Sequence, residues 1–450
     1  MAKAPTREQI IERVREAGVV GAGGGGFPAH VKLDAKVEIV IANGAECEPL
    51  VRVDQQEMAS RPAELLRGVE LAMAATGASQ GVIALKKKYG EAIERLEETI
   101  ARRRLGSRVR LHILQDFYPA GDEHVLVREV TGKVIPELGI PLKVGALVAN
   151  VSSLINIAKA VDKGAPVVSR GVTVAGAVKR PSSFQVPLGT PFSALIEAAG
   201  GLTSEDARLI AGGPMMGSLV DDPALPVTKT TSMIIALPES SPVVQRRLRD
   251  VSRQLQLTRS ACLKCMMCSE VCPRNLLGHR LYPDRLMRSL AADVAEDLEA
   301  YTGAYLCSEC GLCATYACVM NLDPCYMNRE MKRRLSEAGV PRPDPVETQA
   351  RVFQTERKVP SKRLIARLGL SGYDLPAPFA PFQARVQRFV VPLRQHAGAP
   401  ALAVVKAGDA VREGDLLGEI PEGALGARIH AGVSGRVTAA SESAVTIEVE

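Results

Sequence analysis

Eight of the chain's ten cysteines fall in one stretch, as Cys262-x2-Cys265-x2-Cys268-x3-Cys272-Pro273 and Cys307-x2-Cys310-x2-Cys313-x4-Cys318. A cubane needs four soft thiolate ligands, and two-residue gaps on a tight loop let three sulfurs converge on one face. The first run has the spacing in which three thiolates hold one [4Fe–4S] cluster and the fourth reaches across to a second. Two [4Fe–4S] clusters on these eight cysteines, and one-electron transfer, are the expectation. Structural zinc also uses Cys-x2-Cys, but with two pairs per ion rather than triplets followed by a fourth Cys before Pro. Disulfides fit poorly, because the sequence shows no signal peptide and no apolar run of transmembrane length; a reducing, cytoplasmic setting is expected. The second run departs from the pattern, with a longer last gap and Val319 in place of Pro. Cys325, after Pro324, is a further thiol able to substitute for Cys318, so the choice of Cys318 or Cys325 to complete the second cluster stays open.

A chain of 450 residues should hold about three or four domains. Its net charge of +6 is mild, and it has no Trp. Nucleic-acid binding would call for a basic stripe with interleaved stacking aromatics, and none is present. The basic runs Lys86–Lys88, Arg102–Arg104 and Lys332–Arg334 read as solvated element ends.

Along the chain, residues 6–17 have helical periodicity with Thr6 as N-cap and Gly18 as stop, and read as a helix packed on the domain it introduces rather than an encapsulation helix. A glycine loop comes next, then a strand over 37–42, a turn over 43–49, a helix over 61–76, strands over 82–85 and 109–114, and a helix over 90–104. That alternation predicts an α/β domain over residues 1–165. Residues 166–240 change to short strands and hard turns, a small α+β module. Residues 243–340 read as helical and carry the cysteines, 341–384 as a Pro-rich linker, and 385–450 as a small β-barrel sandwich.

The run Gly21-Ala-Gly23-Gly-Gly-Gly-Phe27-Pro28 formally contains G-x-G-x-x-G, but a helix precedes it and Pro28 interrupts the helix that should come after it, so it lacks the Rossmann setting. Its physical content is that residues nearly without side chains let backbone N–H groups approach an anion or a flat ring.

Gly21–Lys32 resembles the flavin loop of the FMN- and NADH-binding subunit of respiratory complex I. Asn43-Gly-Ala-Glu46-Cys-Glu48-Pro49, Tyr118-Pro-Ala-Gly121-Asp122-Glu123 and Val148-Ala149-Asn150-Val-Ser-Ser153 are similar to that family's other flavin contacts, in the same order. The resemblance implies FMN surrounded by Gly21, Gly23, Lys32, Asn43, Glu46, Gly121, Asp122, Glu123, Asn150 and Ser153. Lys32 suits the phosphate or an electron-rich ring edge, and the amides suit polar atoms of the ribityl chain or ring. It also implies that Phe27 stacks on the nicotinamide nucleotide and that Glu48 hydrogen-bonds it, disfavouring the 2′-phosphate of NADPH and favouring NADH. Ala45 and Ala149 stand where that family has Asp and Asn.

Gly212-Gly-Pro-Met-Met-Gly217 and Thr228-Lys-Thr-Thr look like a soluble-ligand-binding β-grasp (SLBB) domain. The fold class is therefore a multidomain α/β plus β chain. In order it has a complex-I-flavoprotein-like α/β domain, an SLBB β-grasp domain, a helical double-[4Fe–4S] ferredoxin-like domain and a C-terminal barrel-sandwich hybrid. That order resembles the cobalamin reductase family of propanediol-utilisation microcompartments; the RnfC-type component of the Rnf electron-transport complex shares the parts but has its barrel sandwich at the N-terminus. The resemblance implies an NADH-dependent flavin and iron–sulfur oxidoreductase that reduces cob(III)alamin or cob(II)alamin for a partner adenosyltransferase. It further implies a cytoplasmic location, with encapsulation in a bacterial microcompartment and contact with its shell proteins left open. The alternative is the NADH-input subunit of an Rnf-like or other electron-transfer complex with a protein or quinone acceptor. A third reading is a redox scaffold that binds clusters without flavin.

A flavin links two-electron NADH to one-electron cubanes, so no side-chain general acid or base is required. The six histidines form no His-x-His or His-Glu-x-x-His pair and read as packing or surface residues. Asp122-Glu-His124 matches only half of the cobalamin lower-ligand signature Asp-x-His-x-x-Gly, with Val127 in place of Gly. Val405-Lys-Ala-Gly-Asp409 and His430–Gly435 look like a biotinyl or lipoyl domain, but no Lys comes after Lys406 to carry a prosthetic group. That module reads as structural or as a docking surface.

Overall fold

A computed structural model describes residues 4–292, 294 and 296–449. The first helix, α1 (Arg7–Glu16), starts at a capping box: Thr6 accepts from the Gln9 N–H while the Gln9 side chain returns to the Thr6 N–H. Its apolar residues Ile10 and Val14 are fully buried among the first core. The helix is therefore packed on the domain it introduces, as its periodicity predicts. After the glycine loop come α2 (Ala29–Leu33), β1 (Ile39–Gly44), α3 (Val53–Ser60), α4 (Pro62–Thr76), β2 (Gln80–Lys86), α5 (Gly90–Arg102), β3 (Val109–Leu114), β4 (Phe117–Tyr118), α6 (Glu123–Thr131), β5 (Ala146–Asn150) and α7 (Val151–Lys163).

Four of these strands form a parallel sheet in the order β3-β2-β1-β5. Near-continuous apolar runs such as Val82–Leu85 suit a sheet covered on both faces. The ends of β1 and β5 bring Asn43 and Asn150 into register as direct neighbours. Two sequence motifs more than a hundred positions apart thereby meet at one edge of the site.

The next module has a five-stranded sheet: β6 (Ser169–Gly176), β7 (Ser182–Pro187), β8 (Ala207–Ala211), β9 (Ser218–Val220) and β10 (Met233–Pro238), with helix α8 (Phe192–Ala198). The strand order is β7-β6-β10-β8-β9, and only β6 and β10 are parallel. Helices then carry the cysteines, among them Val251–Ala261, Pro283–Ala292 and Pro324–Glu337.

The segment read from sequence as a Pro-rich linker holds structure of its own. Val359–Pro360 pairs antiparallel with β4, and the helix Ser361–Arg367 buries Leu364 and Ile365 in the second core. It then returns the chain to a C-terminal sandwich of a four-stranded and a three-stranded sheet. That sandwich buttresses the glycine loop: Ala397 N–H donates to the Gly26 carbonyl at 3.0 Å, and Lys229 Nζ donates to both Gly18 O and Arg428 O at 2.6 Å. The described residues include no helix long and apolar enough to cross a membrane.

Candidate flavin and iron–sulfur sites

The glycine loop closes on itself, with Gly21 N–H donating to Phe27 O at 2.9 Å and Gly26 N–H donating to Gly21 O at 3.1 Å. Gly24 and Gly26 have φ of +103° and +61°, conformations that side chains disfavour, and a Cβ on Gly24 or Gly25 would meet nothing within 4 Å. The loop therefore presents bare backbone to an open cleft. That cleft is lined by Gly21, Gly23, Phe27, Lys32, Asn43, Gly121, Glu123, Asn150 and Ser153. Lys32 Nζ donates to Val148 O at 2.6 Å and to Glu123 Oε1 at 3.0 Å. Asn43 donates to Gly121 O at 2.9 Å, and Ser153 accepts from the Ala22 N–H at 2.8 Å. Phe27 is 40% exposed. A lining of bare backbone, one lysine, two amides and an exposed aromatic ring suits a flat ring with an anionic tail.

The other three predicted residues stand outside this lining. Glu46 accepts from the Glu48 N–H at 3.1 Å, and burial pushes its carboxyl up to about 7. Glu48 reaches into the β-grasp turn, where its two oxygens accept from the Met215 and Met216 N–H groups, each at 2.9 Å. A Cβ on Gly213 would lie 1.9 Å from Glu48 Oε2, so a larger residue there would displace the Glu48 carboxylate. Burial pushes Glu48 up to about 7, with the two N–H donors opposing it. Asp122 caps α6, accepting from the His124 and Val125 N–H groups, and pairs with Arg274 at 2.5 Å. Burial raises its carboxyl, but the guanidinium outweighs that and leaves it below the usual range.

Sequence reasoning missed a buried network behind the cleft. Asn150 Nδ2 donates to Asp54 at 2.7 Å, and the Ser152 hydroxyl donates to Asp54 and to Glu57. Asn150 Oδ1 meanwhile accepts from the Ser152 N–H at 2.9 Å, so its amide orientation is fixed from both ends. Arg170, from β6, donates to the Ala22 carbonyl at 2.9 Å and brings its charge to Glu46 and Asp54. Burial, and then repulsion from Glu46, pushes Asp54 up to about 7. No motif announces Asp54 and Glu57, which are buried on the short helix α3 behind Asn150.

The eight predicted ligand cysteines form two sets that cross the two runs. Cys262, Cys265, Cys268 and Cys318 line one small cavity. Cys307, Cys310 and Cys313 neighbour Cys272. Cys318 thus lies with the first run and Cys272 with the second, where Cys325 is also a neighbour of Cys307 and Cys313. Backbone N–H groups of Glu309 and Leu322 donate to the Cys307 and Cys318 sulfurs at 3.3 Å. Among the described residues no three His, Cys, Asp or Glu side chains close on a single metal ion. A cubane instead holds its thiolates apart at four corners, which fits crossed sets of this kind.

The two sets differ in position. The Tyr118 hydroxyl donates to Cys310 O at 2.7 Å, and Asp122 grips Arg274 two residues after Cys272. The Cys272 set therefore lies against the flavin domain and is the inner one. The Cys262 set is the outer one: Cys265 is exposed, among exposed Leu263, Met266, Met267, Val319 and Met320.

Known families match four segments in the same order: a Nuo51 FMN-binding domain at residues 14–159, an SLBB domain at 172–218, a 4Fe-4S dicluster domain at 261–323 and an RnfC barrel sandwich hybrid domain at 382–449. The fold and these sites define a flavin- and iron–sulfur-containing oxidoreductase. The chain is 45% identical over 440 residues to the cobalamin reductase PduS of Salmonella typhimurium and 42% identical over 440 residues to that of Citrobacter freundii. Each match spans 98% of this chain and 96% of the relative, so the chain belongs to this cobalamin reductase family. It is also 36% identical over 274 residues to the RnfC-type component of the Na(+)-translocating ferredoxin:NAD(+) oxidoreductase complex of Acetobacterium woodii, covering 60% of this chain and 58% of that relative.

Proposed function

We propose that this chain reduces cobalamin at the expense of NADH, supplying the reduced corrinoid to a partner adenosyltransferase. The observation that carries the reading is the end-to-end likeness to two cobalamin reductases, C-terminal sandwich included. When bound, FMN supplies hydride acceptance with one-electron release, and the two cubanes supply one-electron carriage.

The chain's own residues bind, orient and insulate. The glycine loop, Lys32, Asn43, Asn150 and Ser153 would hold the flavin, and Phe27 would cover the nicotinamide face at the mouth. Glu48 would retain lone pairs for a ribose hydroxyl after accepting its two N–H donors, which favours NADH over NADPH. Cys272, Cys307, Cys310 and Cys313 would hold the cluster nearer the flavin. Cys262, Cys265, Cys268 and Cys318 would hold the one that faces the acceptor. In this reading the protein works in the cytoplasm or within such a compartment.

The test is anaerobic addition of NADH to the reconstituted holoprotein, followed by hydroxocobalamin, watched by absorbance and EPR. Cob(II)alamin should appear. Rapid ferricyanide reduction with cobalamin untouched would overturn the proposal and leave an electron-input module for a protein or quinone acceptor.

A further inference from the structure

The loops of the outer set present an apolar face ringed by positive charge. Leu263, Met266, Val319 and Met320 line the cavity of the four outer sulfurs, all four are exposed, and exposed Met267 follows Met266 in the chain. Lys264 stands exposed between Leu263 and Cys265. Arg249 donates to Asn321 O at 2.8 Å, Arg246 donates to Asn321 Oδ1 at 3.0 Å, and Arg367 donates to Cys318 O at 3.3 Å. Three guanidinium groups are thereby held against the loop that carries Val319 and Met320.

None of these four cations makes an ion pair among the described residues. The acids on the same elements are already engaged. Asp284 is buried and pairs with Arg288 at 2.6 Å, Glu270 pairs with Arg357 at 3.5 Å, and Asp250 and Asp323 cap the helices Val251–Ala261 and Pro324–Glu337. The rim therefore keeps unanswered positive charge around an apolar centre. Methionine adapts its shape to varied surfaces, and Met with Arg is the composition enriched at protein interfaces. The face carries no aromatic anchor of the kind that seats a segment in a lipid interface, which favours a protein over a membrane.

We propose that this face docks an acidic one-electron carrier protein, whose carboxylates meet the cationic rim and whose apolar redox edge meets the methionines. Complementary charge of this kind steers encounter and fixes orientation, while the apolar centre excludes water between the two redox groups. Each electron crosses from the outer set to the carrier with no bond made or broken. One NADH oxidised to NAD+ gives up two electrons and releases one proton, and so reduces two molecules of carrier. The inference rests on the reading of the outer set as the cluster that faces the acceptor, and not on cobalamin being that acceptor.

The test uses the full chain reconstituted anaerobically, with flavodoxin as the acidic probe and cytochrome c as a basic one. NADH-driven flavodoxin reduction should slow about tenfold from low to high salt, and cytochrome c should show no such loss. Lys264→Glu and Arg367→Glu should each lower kcat/KM for flavodoxin about tenfold at low salt and converge on the wild type at high salt. Both should also weaken calorimetric binding of oxidised flavodoxin, while Arg436→Glu, the same charge change on the exposed C-terminal sandwich, should leave that binding intact. If Lys264→Glu disturbs the cysteine loop and loses a cubane EPR signal, Arg367→Glu decides. Flavodoxin reduction that ignores salt and both substitutions overturns the proposal, as does an equal loss in Arg436→Glu. Binding of the holoprotein to anionic phosphatidylglycerol vesicles in place of flavodoxin would also overturn it, in favour of a membrane. Hydroxocobalamin left unreduced while flavodoxin is reduced would sink the cobalamin reading and support this one.

Discussion

The inner and outer thiol sets start from nearly the same spacing and end in opposite surroundings. Cys272, Cys310 and Cys313 are buried, and the Tyr118 hydroxyl and the Asp122–Arg274 pair lock their loops to the flavin domain. Around the outer set, Leu263 is 62% exposed and Val319 59% exposed, and Cys265 itself meets solvent. Ligand arithmetic alone makes the two clusters equivalent. Surroundings separate them, because burial, hydrogen bonds to sulfur and solvent access set what a cubane can exchange electrons with. In the proposed function the inner set would receive electrons within the protein and the outer set would deliver them beyond it.

The harshest way to break this comparison is to remove the inner set alone. Cys272→Ala should lower the iron content by about half and drop NADH-driven cobalamin reduction to background. Ferricyanide reduction, which needs only the flavin, should persist. Retention of full cobalamin activity in this variant would mean that the outer set receives electrons without the inner one.

A second effect concerns the joint between the two domains. Arg274 and Asp122 are both largely buried, and removing one partner of such a pair strands the other's charge, at a cost of about 3 kcal/mol. Arg274→Gln should lower the denaturation midpoint and expose the segment around Cys272 to hydrogen exchange. The exposed pair Arg333–Glu337 provides the contrast: its removal should leave the denaturation midpoint almost unmoved. Equal effects from the two would deny the inner joint its special standing.

Much of this is legible in sequence, and the part that is not has a physical cause. The cysteine spacing announces two clusters, since cubane chemistry restricts ligand type and gap length. The glycine loop and its three companion motifs announce the cleft, and most of their residues line it. The crossing of the runs through Cys318 is not legible, because Val319 hides the usual Pro signal and Cys325 offers a rival thiol. Helix α3 escapes notice because it shows little amphipathic pattern, burying Asp54 and Glu57 beside Val53 and Met58. The linker reads as featureless because its prolines obscure a short strand and helix whose partners, β4 and the second core, lie far away in the chain.

The comparison can be sharpened at the outer rim. If a corrinoid meets the outer cluster over the exposed Met266 and Met267, a charge there removes apolar contact worth about 1–2 kcal/mol. Met266→Glu should then lower kcat/KM for hydroxocobalamin by roughly five- to thirtyfold, with NADH reduction of both clusters unaffected. An unchanged kcat/KM would move the delivery point away from this rim.

The smallest expected effect lies on the flavin side and depends on pH. Glu46, Glu48 and Asp54 have ordinary values of 4.5, 4.5 and 3.8, and burial pushes each up to about 7. The folded protein therefore holds protons that the unfolded chain has already released between about pH 4 and 7. The stability linked to these groups is fully present below their unfolded values and is lost as pH rises through about 7, after which it stays level. Asp54 is the informative member, because it faces Glu46 and Glu57 as well as the Arg170 charge, and it holds the Asn150 amide. Asp54→Asn keeps an acceptor for that amide but cannot release a proton. Between pH 5 and pH 8 the apparent Tm of the holoprotein should fall, and the fall should be smaller in Asp54→Asn by about 2 °C. The outer set has no such cluster of buried carboxyls: Asp284, the one acid lining its cavity, pairs with Arg288 at 2.6 Å. Proton-linked stability should accordingly report on the flavin side and leave the outer cluster's signal unmoved, and an identical pH slope in wild type and variant would place the titrating groups elsewhere.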